Sequence, residues 1–285
     1  MRRPGVAPTL HSGPTPGWRA TLRAVGPTVG LQSGFTVCQF RPWRATMQAT
    51  PRLTPPRSTM TLQEHTVRAF DADIAGMRRA VVEMGALAER QFRRAVNAMI
   101  TGDPGLIAQV LADERVVNGL HVQVDELCNR IIALRQPIAV DLREVIGVIH
   151  TINDLERVGD EAKKIALKGR SIEPGALQDL HGPVRGMADQ AADMLNRAID
   201  AFVRHDSGVA MELGACDDAV DDLRDELVET LVGRMTREPH RVAQALDMIL
   251  VVQSIERVAD HAESVAEYVV NVVQGVDMRH GNLPA

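Results

Sequence analysis

From residue 66 onward, apolar residues recur at the three- and four-residue spacing of amphipathic helices. Proline and glycine interrupt this pattern at only a few points. Asp103-Pro104 combines an N-cap residue with a first-turn proline, and Gln136-Pro137 predicts another helix start with proline in its first turn. The pattern predicts six helices, at 65–101, 104–135, 137–169, 177–204, 207–236 and 239–275.

The six predicted helices form two similar sets of three. The segment 155–162 (Leu-Glu-Arg-Val-Gly-Asp-Glu-Ala) returns one hundred residues later at 255–262 (Ile-Glu-Arg-Val-Ala-Asp-His-Ala). A repeat in the same register indicates a duplication, and long helices with short connections pack as antiparallel neighbours. We therefore predict an all-α fold of two tandem, spectrin-like three-helix bundles. Their predicted bounds are 60–172 and 173–278, with a tail at 279–285.

Residues 1–59 differ in composition from the rest of the chain. They hold nine of the fifteen prolines, both tryptophans, eight arginines and no acidic residue. This proline density prevents helical periodicity. The segment is interpreted as a disordered tail, as an organellar transit peptide, or as untranslated sequence before a true start at Met60. We favour the third interpretation because the composition changes sharply at Met60.

Charge and cysteine content restrict the function classes. The formal net charge of the chain is −5, so the eight arginines of 1–59 leave −13 for 60–285. A segment this acidic is not expected to bind nucleic acid. It could bind a basic protein surface or cations. Three widely spaced cysteines fit a reducing cytoplasm. No apolar run reaches the length of a membrane span, so we expect a cytoplasmic protein.

The third helix of each set carries a pair of carboxylates four residues apart. Glu156 and Asp160 lie on one helical face, because four residues turn a helix by about 400°. They continue an apolar stripe, and Glu256 and Asp260 repeat the arrangement. A carboxylate on a buried stripe needs a partner, since an isolated buried charge is unfavourable.

The second helix of each set offers such partners. Asp217 and Asp221 form a further pair, and Glu114 with Asn118 is the equivalent pair in the first set. If the second and third helices face each other, each bundle brings together four oxygen-bearing side chains. Such clusters suit hard cations, iron or manganese. The alternative is that these charges are only solvated helix surfaces, paired with neighbours such as Arg157 and Arg257.

Motifs for catalysis are missing from the sequence. It has no phosphate-binding Walker A loop, no nucleophile elbow, no dinucleotide fingerprint and no Glu-x-x-His of di-iron bundles. His121 and His261 are interpreted as exposed helix residues, and Cys128 and Cys216 as small core residues. We therefore predict that the protein is not an enzyme.

Several stretches resemble the PhoU family across 60–285. The first repeat has Ile-Ile-Ala-Leu-Arg-Gln-Pro at 131–137, Asp-Leu-Arg at 141–143 and Asp-Leu-Glu-Arg-Val-Gly-Asp at 154–160. The second has Ser-Ile-Glu-Arg-Val-Ala-Asp-His at 254–261. The opening, with Phe70, Met84-Gly85 and Gln91, is similar to the family's first helix.

The resemblance implies tandem three-helix bundles whose acidic motifs line a concave face that holds metal clusters. The implied metal ligands are Glu114, Asn118, Glu156, Asp160, Asp217, Asp221, Glu256 and Asp260. Asn118 departs from the motif because an amide stands in place of the second carboxylate. The metal is unassigned among iron, zinc, manganese and magnesium.

The resemblance also implies a regulator of phosphate uptake. Family members are thought to connect the phosphate ABC transporter, through its ATPase and membrane subunits, with a membrane sensor histidine kinase. High phosphate then silences the starvation response. The expected protein is a homodimer that associates peripherally with the membrane through these partners. Two alternatives stay open: a carboxylate-bridged metal store or oxidase, and a purely structural helical adaptor.

Overall fold

The computed structural model describes residues 68–173 and 175–276. The predictions for 1–59 and for the tail 279–285 concern segments that lie outside these described residues. Between Arg68 and Gln274 the described chain forms six α-helices and two short 3-10 turns, Gln178–Leu180 and Pro239–Arg241. This architecture confirms the predicted all-α fold of two three-helix bundles. The helices are α1 Arg68–Thr101, α2 Pro104–Arg135, α3 Ala139–Gly169, α4 His181–Arg204, α5 Ser207–Arg237 and α6 Val242–Gln274.

Three predicted helix starts were wrong by a few residues. Pro137 does not lie in the first turn of α3, which begins at Ala139. Gln136 ends α2 in a left-handed conformation (φ 49°), and Ile138 is extended. Pro137 therefore lies in the connection between α2 and α3 and belongs to neither helix. A 3-10 turn precedes α4 and another contains Pro239, so these helices begin at His181 and Val242.

The second helix of each bundle begins with the same cap. Asp103 Oδ1 accepts a hydrogen bond from the Gly105 amide at 2.7 Å, and Asp206 Oδ1 accepts one from the Gly208 amide at 3.0 Å. These carboxylates satisfy backbone donors that have no partner within the helix. The two caps are 103 residues apart. The same offset relates Glu114 to Asp217, so the structure supports treating these two positions as equivalent.

The two bundles share one hydrophobic core. Each second helix packs against the first and third helices of its own bundle, while α3 also packs along α6 and α1 along α4. Arg143, near the start of α3, donates to the Val272 carbonyl near the end of α6. Lys168, at the end of α3, pairs with Asp247 near the start of α6. The helices α3 and α6 are therefore antiparallel and form the centre of the molecule.

Aliphatic and methionine side chains fill this core, as the low aromatic content predicts. Fully buried residues include Met77, Met84, Ile152, Leu155 and Leu195. None of the helices in the described chain is both long and apolar enough to cross a bilayer.

A close backbone approach ties α1 to the end of α3. A Cβ atom built on Gly169 would lie 2.6 Å from the Met99 Cα. Since real Cβ atoms essentially never come so close to a backbone atom, only glycine permits this packing distance.

Candidate metal centres

The first-half cluster, defined as Glu114, Asn118, Glu156 and Asp160, lies where α2 faces α3. Glu114 is 4% exposed. Its Oε1 atom is 3.2 Å from Lys163 Nζ, and Asn118 Nδ2 donates to the same oxygen at 3.5 Å. A hydrogen bond also links Glu114 to Asp160. The structure therefore brings Glu114 and Asp160 together and adds a lysine that the prediction did not include.

Gln91 of α1 supports this cluster from inside the core. It is fully buried, and its Nε2 atom donates to Glu114 Oε2 at 3.1 Å and to the Gly159 carbonyl at 3.1 Å. One amide thus fixes the Glu114 carboxylate relative to both α2 and α3. Charge-assisted hydrogen bonds of this kind hold a carboxylate in one orientation.

The pKa values of Glu114 and Asp160 are shifted in opposite directions. Burial acts to raise the pKa of Glu114, but hydrogen bonds with Gln91, Asp160 and Lys163 outweigh it, so the pKa is lowered. The pKa of Asp160 is raised by burial, by its hydrogen bond with Glu114 and by the charges of Glu114 and Glu156. The pair therefore favours a proton on Asp160 and a charge on Glu114.

The second-half cluster, defined as Asp217, Asp221, Glu256 and Asp260, lies where α5 faces α6. Arg224 forms ion pairs with two of its members: Nη1 lies 2.6 Å from Glu256 Oε1 and 3.2 Å from Asp221 Oδ1. Burial raises the pKa of Glu256, and the charge of Asp260 raises it further, although Arg224 opposes both effects.

Asp217 is the most perturbed carboxyl of this half. Burial, followed by the charges of Glu263, Asp260, Asp221 and Glu256, raises its pKa to about 7. Its Oδ1 atom is buried and has no hydrogen-bond partner within the described structure. Burial and neighbouring carboxylates also raise the pKa of Asp260 and of Glu263. Mutual repulsion among half-buried carboxyls marks a place that favours a proton or a cation.

These arrangements do not form a ready-made ligand set. Within 68–173 and 175–276, no three His, Cys, Asp or Glu side chains are grouped so that they could hold a metal ion. The side chains of Lys163 and Arg224 bind carboxylates that would otherwise be ligands. The oxygen-rich donors fit a hard cation by type. Metal binding by the eight predicted residues stays a prediction.

The arginines next to the motifs have other partners. Arg157 lies 3.6 Å from Asp154, and Arg257 lies 3.7 Å from Glu161. Both of these carboxylates are almost fully buried near the contact of α3 with α6. The suggested pairing of the two arginines with the predicted ligands was therefore not found among these contacts.

The interpretation of both histidines as exposed was wrong. The side chain of His261 is 17% exposed, and its Nδ1 atom lies 3.0 Å from Asp154 Oδ1 across the two bundles. The Nε2 atom of His121 lies 2.9 Å from Asn153 Oδ1. Sequence periodicity missed these contacts because they depend on which helices become neighbours. The cysteines agree with prediction: both are buried, and burial raises the pKa of Cys128 to about 12.

Comparison with known proteins assigns the chain to a family. A model of the PhoU domain matches residues 81–168 and 184–269, once in each bundle, and these matches together span more than half of the chain. The chain belongs to the PhoU family. The resemblance based on the sequence motifs is thereby confirmed.

Named PhoU relatives cover most of the chain. The phosphate-specific transport system accessory protein PhoU homolog of Pseudomonas aeruginosa is 37% identical over 77% of this chain and 91% of the relative. The Escherichia coli K12 accessory protein PhoU is 32% identical over 78% of this chain and 92% of the relative.

Two solved PhoU structures share the fold. The crystal structure of PhoU from Pseudomonas aeruginosa matches with a TM-score of 0.68 and 35% identity, covering 73% of this chain and all of the other. The phosphate transport system regulatory protein PhoU from Streptococcus pneumoniae matches with the same TM-score at 22% identity, covering 73% and 98%, and supports the fold alone.

The PhoU motifs did not reveal all the polar and charged residues at these helix contacts. Sequence reasoning missed Gln91 as a support, and it also missed Lys163, Arg224 and Glu263. A signal was present for Glu263, which follows Glu256 by seven residues and therefore lies on the same helical face. Lys163 stands one hundred residues before Glu263, at the equivalent position of the duplicated helix.

Proposed function

We propose that this chain regulates phosphate uptake and phosphate-starvation signalling as an accessory protein of the phosphate transport system. The observation that carries the proposal is the match of both bundles to the PhoU domain, together with relatives named as accessory proteins of phosphate-specific transport. Such a protein acts through binding. The absence of a nucleophile motif or nucleotide loop in the sequence supports a role without catalysis.

Metal binding is the second part of the proposal. The first-half and second-half clusters would supply the ligands, and carboxylates of this type favour iron, manganese, magnesium or zinc. The unpartnered Oδ1 of Asp217 supports a cation in the second half. A cation there would neutralise carboxylates that now repel one another. Residues Lys163 and Arg224 must release their carboxylates before those oxygens can become ligands.

The proposed partners are the ATPase of the phosphate ABC transporter and a membrane sensor histidine kinase. The formal charge of −13 on 60–285 supports docking to basic cytoplasmic surfaces, an attraction that increases association rates and weakens with salt. In this proposal the protein is a cytoplasmic homodimer, reaches the membrane through its partners and silences starvation genes when phosphate is plentiful.

Gene deletion tests the regulatory role. Without the protein, phosphate-starvation genes should be expressed in phosphate-rich medium, and a chain that contains residues 60–285 should silence them again. Normal silencing in the deletion strain, after any second copy of the family has also been deleted, would contradict the proposal. Salt-dependent binding of the purified protein to the transporter ATPase tests the docking step separately.

Metal analysis separates the competing roles. Purified protein should retain metal after dialysis, and iron-loaded protein should show no oxidase activity. Oxidase activity would instead favour the metal-enzyme alternative. A metal-free protein that restores phosphate control would favour the purely structural adaptor.

A further inference from the structure

The contact between α3 and α6 follows one antiparallel register along its length. Each step towards the end of α3 is matched by an equal step towards the start of α6. Three contacts share this register: Arg143 with the Val272 carbonyl, Asp154 with His261, and Lys168 with Asp247. The same register places Glu161 of α3 opposite Ser254 of α6.

The apolar residues of this contact are nearly the same on both helices, because α3 and α6 are the duplicated third helices. The buried positions of the repeat correspond one hundred residues apart: Leu155 to Ile255, Val158 to Val258 and Ala162 to Ala262. A second copy of α3 would thus present almost the same apolar face as α6. Apolar packing therefore does little to decide whether α3 pairs with α6 or, in a two-fold arrangement, with α3 of another chain.

The buried polar residues of the contact differ between the two helices. Asp154 and Glu161 of α3 are 3% and 5% exposed. The equivalent residues of α6 are Ser254, which is also buried, and His261. One helix thus contributes two carboxylates to the contact, and the other contributes a hydroxyl and an imidazole.

This difference makes the observed pairing favourable and the like-with-like pairing unfavourable. In the structure, His261 Nδ1 lies 3.0 Å from Asp154 Oδ1, and Glu161 lies opposite the uncharged Ser254. If a second α3 replaced α6 in the same register, Asp154 of each chain would face Glu161 of the other. Two buried carboxylates that face each other without a cation between them are strongly unfavourable.

Nearby cations do not change this preference. Arg157 lies 3.6 Å from Asp154, while Lys164 and Arg257 lie 2.7 Å and 3.7 Å from Glu161. All three basic side chains are more than half exposed, and exposed ion pairs contribute little to stability. Arg157 and Arg257 are equivalent residues, and Lys164 belongs to α3 itself, so either pairing would contain the same cations.

We propose that the contact of Asp154 with His261 selects the partner of α3. It allows α3 to pair with α6 of its own chain and rejects α3 of a second copy. The two duplicated halves therefore pair unlike with unlike. As in other specific interfaces, the selection combines a favourable correct contact with an unfavourable wrong one. A homodimer of this protein would then form through another surface.

Substitutions that give α6 the polar residues of α3 test the inference in the full chain. His261→Glu places the α3 residue opposite Asp154, and His261→Gln has nearly the same shape without the charge. At pH 8 the thermal unfolding midpoint of His261→Glu should be several degrees below that of His261→Gln. In chains that also carry Asp154→Asn, this difference should largely disappear. Since Asp260 and other carboxylates near position 261 are present in both backgrounds, the cycle isolates the effect of Asp154.

A double substitution imitates the rejected pairing within one chain. Ser254→Asp with His261→Glu gives the contact the polar pattern of two paired α3 helices. Its midpoint should lie well below that of Ser254→Asn with His261→Gln. If an acidic variant does not fold, adding Asp154→Asn to His261→Glu should restore folding.

Two results would overturn the inference. One is an equal midpoint for glutamate and glutamine at position 261. The other is a difference between them, or a failure to fold, that persists when Asp154 is replaced with asparagine. Either result would show that Asp154 does not select the helix that covers α3.

Discussion

Replacing Asp217 with asparagine should stabilise the metal-free protein in alkaline solution and have little effect in acid. The folded-state pKa of this carboxyl is raised to about 7 by burial and by neighbouring carboxylates. In the unfolded chain an aspartate titrates near pH 3.9. Between these values the folded protein holds the extra proton, so the free energy of unfolding decreases as pH rises. The free energy of unfolding stops decreasing once pH exceeds the folded-state pKa.

The size of the effect follows from the shift. A difference of about three pKa units corresponds to about 4 kcal/mol as an upper limit. Asp217 is only half-buried, and solvent screening reduces this to about 1–2 kcal/mol. Asparagine keeps the shape of the side chain without its charge. At pH 8 the variant Asp217→Asn should therefore unfold at a midpoint several degrees higher, since about 1 kcal/mol shifts a chain of this size by about 2–4 °C.

Urea and thermal unfolding at pH 5 and pH 8, in EDTA, measure this difference. Asp222→Asn, on the exposed face of the same helix, makes the same change in charge and should shift stability much less. A gain of the same size at both pH values would show that general charge reduction is the cause. A loss of stability at pH 8 would refute the repulsion argument.

Three further predictions concern the fold. Gly169→Ala should destabilise the protein by about 1–3 kcal/mol, because its Cβ would meet the Met99 backbone, and the urea midpoint measures this. Gln91→Met should cost about 1–3 kcal/mol through lost hydrogen bonds to Glu114 and Gly159, measured the same way. Removing residues 1–59 should leave the thermal midpoint unchanged, whereas a fall of several degrees would contradict the sequence interpretation.

The sequence predicted the helices well because their signals are local. We located each helix from helical periodicity, from the cap at Asp103 and from the few prolines. The predicted starts were wrong by a few residues at Pro137 and at the two 3-10 turns. The duplicated third helix also predicted two bundles. The shared core was not predicted, because periodicity identifies the buried face of a helix and does not say which helix covers it.

The same limit applies to the candidate site. The carboxylate pairs were visible as i, i+4 spacings, and the structure brings Glu114 close to Asp160. The salt bridge of Lys163 and the contact of His261 with Asp154 join distant parts of the chain. Only the packing of α2 against α3, and of α3 against α6, brings these groups together, so no pattern within a single helix could reveal them.

If the proposed metal binding serves regulation, the second-half carboxylates take part in phosphate control. Expression of a phosphate-starvation gene in phosphate-rich medium, in a deletion strain supplied with the double variant Glu256→Gln, Asp260→Asn, tests it most directly. The unaltered chain and the exposed-site variant Glu229→Gln should silence the gene, and the double variant should leave it expressed although it folds normally. Full silencing by the folded double variant would contradict the account.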